Sequence, residues 1–253
     1  MMVAVQFDTT AGTTMSADDA FTLDKAPAAW VDPENDENCI SGWYINAPCL
    51  KIPHGTVDMG YTDLYYSENA CYEESTDVYK GKKGWADRDG MLVEAPLLKA
   101  GYGVWLVAGN EALTVTIAGQ VKIAASDTFS GGVGYNLLRL PYPLAINAGD
   151  SKIDWGLTSQ APAAWVDPEN DENCISGWYN DAPCLKIPHG TVDMGYTDLY
   201  YTSNACYEES PDVYKGKPGW ADRDGMLVSD AVIPEGQGFW LVLKAAATVT
   251  HTK

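Results

Sequence analysis

The 68 residues from Ala26 to Val93 return 135 positions later, as Ala161 to Val228, with only six exchanges. Segments so alike share every local preference and every apolar pattern, so they are bound to select the same packing twice. The exchanges are Ile45/Asn180, Asn46/Asp181, Ser67/Thr202, Glu68/Ser203, Thr76/Pro211 and Lys83/Pro218. Most are polar and stand beside turn formers, which predicts exposed loop positions.

Outside this block the same register continues weakly. Val3, Val5 and Phe7 fall opposite Leu138, Leu140 and Tyr142, and Gly101-Tyr-Gly-Val-Trp-Leu-Val107 falls opposite Gly236-Gln-Gly-Phe-Trp-Leu-Val242. The duplicated unit is therefore a whole half, with expected domains at 1–125 and 126–253 and Ser130-Gly131-Gly132 as a linker. Halves of this size are ordinary domains, whereas two copies are too few for a solenoid. Recombination across the middle segment and selection for two matching surfaces both account for the uneven divergence.

Glycine (24) and proline (14) interrupt the chain too often for helices of normal length. Short β-branched or aromatic runs predict strands at Gly42–Ile45, Cys49–Ile52, Tyr61–Tyr66, Met91–Val93, Val104–Val107 and Leu113–Ile117, with counterparts in the second half. Asn46-Ala-Pro48, Pro53-His-Gly55 and Asp87-Arg-Asp-Gly90 read as turns between them. The expected fold is all-β: two tandem homologous antiparallel β-sandwich or barrel-like domains. Ser16–Phe21 predicts one short helix capped by Ser16, although its counterpart Ser151–Gly156 reads as loop or strand.

With 16 basic against 35 acidic side chains the net charge is -19, which repels phosphate backbones and excludes nucleic acid as a partner. No run approaches the roughly 20 apolar residues that cross a bilayer, so no membrane insertion is expected. Met1–Val5 lacks the basic and apolar regions of a signal peptide, so a secreted chain would have lost its signal already.

Tyr135-Asn-Leu-Leu-Arg-Leu-Pro-Tyr-Pro-Leu-Ala-Ile146 and Ile233-Pro-Glu-Gly-Gln-Gly-Phe-Trp-Leu-Val242 resemble motifs of secreted β-rich repeat surface proteins of bacteria. The likeness covers the edges of each half and not its cysteine-bearing centre. It implies a β-rich fold and a place outside the cell or on its surface, and it carries no catalytic residue over.

The cysteines number three per half and form no CxxC pair, which argues for disulfides in an oxidising compartment and against zinc or thioredoxin chemistry. Spacing across the Asn46-Ala-Pro48 turn pairs Cys39 with Cys49, and Cys174 with Cys184. Cys71 and Cys206 are then left to bond each other or neighbouring chains, or to remain buried thiols. The acidic run Asp32-Pro-Glu-Asn-Asp-Glu-Asn38 and its copy offer hard oxygen ligands for calcium at Asp32, Glu34, Asp36, Asp167, Glu169 and Asp171, or are simply solvated.

His54 with Asp58, and His189 with Asp193, are the sole hints of catalysis. No nucleophile motif accompanies them, and an enzyme is not expected. Trp43, Tyr61, Trp85, Trp178, Tyr196 and Trp220 recur as sugar-stacking candidates, with burial in the core as the competing reading. The leading expectation is thus a secreted or cell-surface structural protein that associates with itself in a filament or layer. The alternative is a bivalent carbohydrate-binding module, with calcium as a cofactor of its glycan sites.

Overall fold

The computed structural model describes residues 2–6, 15–16, 22–23, 26–30, 39–58, 60–75, 78–93, 97–98, 103–109, 115–116, 125–140, 142, 144–166, 174–189, 195–210, 213–235 and 237–253. These residues are all-β: strands, turns and three single-turn 3-10 segments. The chain divides into two compact units, Met1–His54 with Gly60–Val121 and Gly55–Met59 with Lys122–Lys253.

The first unit holds β1 (Met2–Gln6), β2 (Met15–Ser16), β3 (Thr22–Leu23), β4 (Cys49–Pro53), β5 (Tyr61–Ser75), β6 (Val78–Ala86), β7 (Leu97–Leu98), β8 (Gly103–Val107) and β9 (Val115–Thr116). Five of them form an antiparallel sheet in the order β1-β8-β4-β5-β6. Side chains alternate across it as strand geometry requires. Leu50, Leu64, Tyr66, Trp85, Val104 and Leu106 bury one face together with Leu23. Cys49, Tyr65 and Ala86 bury part of the other under Trp43, Ala47, Ala29 and Ala70.

The second unit holds β10 (Ser126–Gly131), β11 (Gly134–Arg139), β12 (Ile146–Asn147), β13 (Ile153–Asp154), β14 (Cys184–Pro188), β15 (Tyr196–Ser210), β16 (Val213–Ala221), β17 (Val232–Ile233), β18 (Gly238–Leu243) and β19 (Ala247–Thr252). Its five-stranded sheet runs β11-β18-β14-β15-β16, beside a three-stranded sheet β10-β19-β13. Leu185, Leu199, Trp220, Phe239 and Leu241 of the first sheet share one core with Ile153 and Val249 of the second, a sandwich-like arrangement. Trp155 stands edge-on to Trp220 at 5.2 Å and to Phe239 at 6.0 Å, and its indole N–H donates to the Ala148 carbonyl at 2.8 Å.

Within the near-identical block every strand register repeats at the same offset: Cys49 opposes Tyr65 as Cys184 opposes Tyr200, and Tyr66 opposes Trp85 as Tyr201 opposes Trp220. Where the sequences diverge, the register diverges too. Val3 opposes Leu106, whereas Leu138 opposes Phe239, two residues out of step. A two-residue slip keeps each side chain on its own face and is tolerated at an outermost strand.

Several expectations are corrected. Gly42–Ile45 is no strand: Gly42 takes the left-handed conformation at φ 70° and Trp43–Asn46 forms a 3-10 turn, repeated at Trp178–Asn180 after Gly177. Ser16 lies in β2, and the rest of the expected helix falls outside the described residues. Ser130 and Gly131 end β10 instead of forming a loose linker. The Asn136 side chain pins the following turn, accepting from the Gly132 N–H at 3.0 Å and donating to the Gly132, Gly134 and Leu241 carbonyls.

The exchange Ser67/Thr202 is fully buried, not on a loop. It marks a bulge where β5 has one more residue than β6, and β15 one more than β16. The Ser67 hydroxyl donates to the Pro27 carbonyl and accepts from the Ala29 and Asn69 N–H groups, and Thr202 repeats this toward Pro162, Ala164 and Asn204. The hydroxyl is the common element, so either residue serves. Ser67→Ala or Thr202→Val should cost about 1–3 kcal/mol by removing the acceptor of the Asn69 or Asn204 N–H and the shorter of the two bonds from the Ala29 or Ala164 N–H, while Thr202→Ser should be nearly neutral. Chemical denaturation measures both, and equal loss from Thr202→Ser and Thr202→Val would refute the hydroxyl's role.

His251 in β19 has no counterpart in the first unit, where Thr116 stands at that position. It is buried edge-on to Tyr142 at 5.0 Å. Burial pushes its pKa below the usual 6.5, and Lys152 acts in the same direction against Asp150 and Asp127. The unfolded chain therefore takes up the proton first, and stability present above 6.5 is lost as the pH falls through and below that value. Thermal melts from about pH 7 to about pH 5 should show a falling midpoint, and His251→Gln should flatten that slope. An unchanged slope would contradict this assignment.

Candidate functional site

The second face of each five-stranded sheet carries charge where a core face would not. On β4 and β5, Lys51 and Asp63 are register partners across the strands, and the ammonium contacts both carboxylate oxygens at 2.9 Å. Lys186 and Asp198 repeat the pair. Both pairs are partly exposed. Burial draws the Lys51 pKa down, but the Asp63 hydrogen bond and nearby anionic groups outweigh it and hold the net value above 10.5; Lys186 behaves alike.

Beside the pair stands an aromatic group built by the 3-10 turn. Buried Trp43 lies edge-on to Tyr65 at 6.0 Å, and half-buried Tyr44 leans on the same ring at 5.2 Å. The Trp43 indole N–H donates to the Arg88 carbonyl at 3.2 Å, which ties the Asp87–Gly90 turn to the aromatic group and sets the Arg88 guanidinium 5.0 Å from the Tyr44 ring centre. The turn closes on itself: the Gly90 N–H donates to the Asp87 carbonyl, and the Asp87 carboxylate accepts from the Met91 N–H at 2.9 Å. A hydrogen bond to the Tyr65 hydroxyl raises the Arg88 pKa, so its charge is permanent.

The second unit repeats this arrangement. Arg223 lies 5.4 Å from the Tyr179 ring centre and donates from Nε to the Tyr200 hydroxyl at 3.2 Å, and the Trp178 indole N–H donates to the Arg223 carbonyl at 3.1 Å. The outer rim holds Tyr61, which lies 5.7 Å beneath the Lys51 ammonium and accepts from the Trp105 indole at 3.1 Å; Tyr196 is its counterpart. Each unit thus offers a half-buried tyrosine beside a planar cation, an ammonium and a carboxylate. Such a surface can stack against a ring and hydrogen-bond to hydroxyls.

The sequence-derived candidates divide by burial. Tyr61 and Tyr196 remain partly exposed on the face. Trp43 and Trp178 are buried buttresses, and Trp85 and Trp220, at 0 and 1 % exposure, lie on the opposite core face. None of these four indoles presents a ring to a sugar. Asp32, Glu34, Asp36, Asp167, Glu169 and Asp171, the calcium candidates, lie outside the described residues, and among the described residues no three metal-ligating side chains gather. His54, Asp58 and His189 are exposed, and Asp193 is outside the described residues. Lys51, Asp63 and Arg88 were missed by sequence reasoning. The signal for the first two was a charge two residues from an inward neighbour within each strand, at Cys49-Leu-Lys51 and Asp63-Leu-Tyr65.

All six cysteines are free thiols, so the expected bonds Cys39–Cys49 and Cys174–Cys184 are not formed. Cys49 is buried between Tyr65 and Val107 in the sheet; burial first, then the nearby Asp63 carboxylate, push its thiol up to about 12. Cys71 and Cys206, at 1 and 0 % exposure, are buried rather than turned toward a neighbouring chain. No protein-family model, curated protein or solved structure matches the chain.

Proposed function

We propose that the chain is a secreted or cell-surface protein of two tandem homologous β-sandwich domains that binds carbohydrate bivalently and is not an enzyme. The observation that carries this reading is the residue-for-residue recurrence of the Tyr44, Lys51, Asp63, Tyr65, Arg88 face as Tyr179, Lys186, Asp198, Tyr200, Arg223. A pyranose would stack its C–H face on Tyr44 or Tyr61 and share its hydroxyls among Asp63, Lys51 and Arg88. Two equal sites on one chain raise avidity without any new contact. The acidic sequence runs that hold Asp32, Glu34 and Asp36, and Asp167, Glu169 and Asp171, make calcium the cofactor to test.

The structural reading, a filament or layer subunit, drew its chemistry from spare cysteines and open strand edges. Cys71 and Cys206 are buried. The outermost strands β6 and β16 carry exposed Lys82 and Lys83, and exposed Lys217 and Pro218, which oppose edge-to-edge pairing. Support therefore lies with binding.

A glycan array probed with the full chain tests the proposal, with and without a chelator. Wild-type protein should bind a defined set of glycans. Tyr44→Ala alone should lower apparent affinity on the order of 10²-fold through lost avidity, and the double variant Tyr44→Ala/Tyr179→Ala should abolish binding while still melting cooperatively as a folded protein. Failure of the wild type to bind any glycan, or full binding by the double variant, would overturn the reading. Loss of binding in chelator would add calcium to it, and unchanged binding would remove calcium.

A further inference from the structure

Two of the three cysteines in each unit meet at one glycine. Gly90 is buried at φ 81°, and a Cβ added there would lie 3.0 Å from the Cys39 sulfur and 3.1 Å from the Trp30 indole nitrogen. Its carbonyl accepts the Cys71 N–H at 2.9 Å and the Trp30 indole N–H at 3.0 Å, while the Leu92 N–H donates back to the Cys71 carbonyl at 2.7 Å. Cys39 is brought there by its antiparallel bridge to Trp30, and Cys71 by a parallel bridge to Met91. Only a residue without a side chain leaves the Cys39 sulfur this room.

The second unit repeats the cysteine geometry, although its Trp165 indole N–H does not bond the Gly225 carbonyl as the Trp30 indole bonds Gly90. The Cys174 sulfur lies 3.0 Å from a Cβ at Gly225, whose carbonyl accepts the Cys206 N–H at 2.8 Å, and Trp165–Cys174 and Cys206–Met226 form the same bridges. Among charged neighbours, Cys71 feels Cys39 and Cys206 feels Cys174. Cys49 instead feels Asp63 and Lys51, from a position inside the sheet.

We propose that Cys39 with Cys71, and Cys174 with Cys206, are oxidisable pairs that close as intrachain disulfides, leaving Cys49 and Cys184 as permanent buried thiols. This pairing replaces the one expected from spacing, and it does not rest on the carbohydrate reading. Cys39 is the partly exposed member and attacks first. With a low-molecular-weight disulfide such as glutathione disulfide as oxidant, the Cys39 thiolate attacks one sulfur, forms a mixed disulfide and releases one glutathione thiol. The buried Cys71 thiolate then attacks the Cys39 sulfur and expels the second. Two protein thiols are oxidised, one small disulfide is reduced to two thiols, and the two protein protons pass to those thiols.

The closed pair would tie β5 to the segment that leads into the Trp43 turn. It would use up the cysteines otherwise available for links between chains, so the oxidised protein should remain a monomer in covalent terms.

The test is peptide mapping of the full chain after incubation with glutathione disulfide, with remaining thiols alkylated in denaturant. Trypsin distinguishes the two units, and chymotrypsin, cutting at Trp43 and Tyr44, separates Cys39 from Cys49. Cys39–Cys71 and Cys174–Cys206 peptides are expected, with alkylated cysteines falling from six to two, Cys49 and Cys184. Cys39→Ser should free Cys71 for alkylation and leave Cys174–Cys206 intact; should that variant not fold, the wild-type map decides alone. A Cys39–Cys49 bond, a bond to another chain, or alkylation at all six positions would overturn the proposal.

Discussion

The bulge in the long strand of each unit, at Ser67–Asn69 and again at Thr202–Asn204, is the constraint on which the surrounding structure depends. An extra residue turns the Asn69 carbonyl out of the ladder, where it accepts the Ala29 and Trp30 N–H groups. The Asn69 amide then holds the Trp30 carbonyl from the other side, and a buried hydroxyl fixes Pro27 and Ala29. The space for this amide exists because Gly81 faces it: a Cβ there would sit 1.3 Å from the Asn69 side-chain oxygen. A loop segment without regular structure is thereby fastened to a sheet by backbone and side-chain hydrogen bonds.

Function is downstream of that anchor. Trp30 reaches the Gly90 carbonyl, and Trp43 reaches the Arg88 carbonyl. The Asp87–Gly90 turn is therefore held by two indoles and cannot move without breaking both. Its fixed position is what lays the Arg88 guanidinium on Tyr44 and leaves the Cys39 sulfur against Gly90. The proposed binding face and the proposed redox pair are two outputs of one piece of packing, and the near-identical block is the stretch of chain that encodes it. The exchanges respect this: Ser67/Thr202 keeps the hydroxyl, and Ile45/Asn180, Asn46/Asp181, Glu68/Ser203 and Lys83/Pro218 are exposed.

Much of the strand framework was legible in the sequence because a half-buried strand writes its period directly: Cys49–Ile52 and Val104–Val107 are strands as their residue types predict. The Asp87–Gly90 turn was legible for the same reason, since Asp and Gly have a local mechanism for turning the chain. The 3-10 turn at Trp43 was not. Trp-Tyr-Ile has β propensity, and only the left-handed Gly42 and the packing of Trp43 under the sheet override it. The candidate site was half legible. Its tyrosines stood out by recurrence, but the role of Arg88 needs a contact between a turn and a residue 44 positions earlier, which no spacing rule contains. Cysteine pairing failed likewise, because sequence proximity favoured Cys49 whereas a parallel bridge in the fold favours Cys71.

Residue-resolved amide hydrogen exchange tests the anchor most directly. The account predicts that the N–H groups of Ala29, Trp30 and Cys71, and those of Ala164, Trp165 and Cys206, are protected to the same degree as central sheet amides such as Tyr66 and Tyr201, although the first two of each set lie outside any regular strand. Exchange at those positions as fast as at the exposed turn residue Val57 would mean that the loop is not fastened to the bulge. The shared origin of the binding face and the cysteine pair would fall with it.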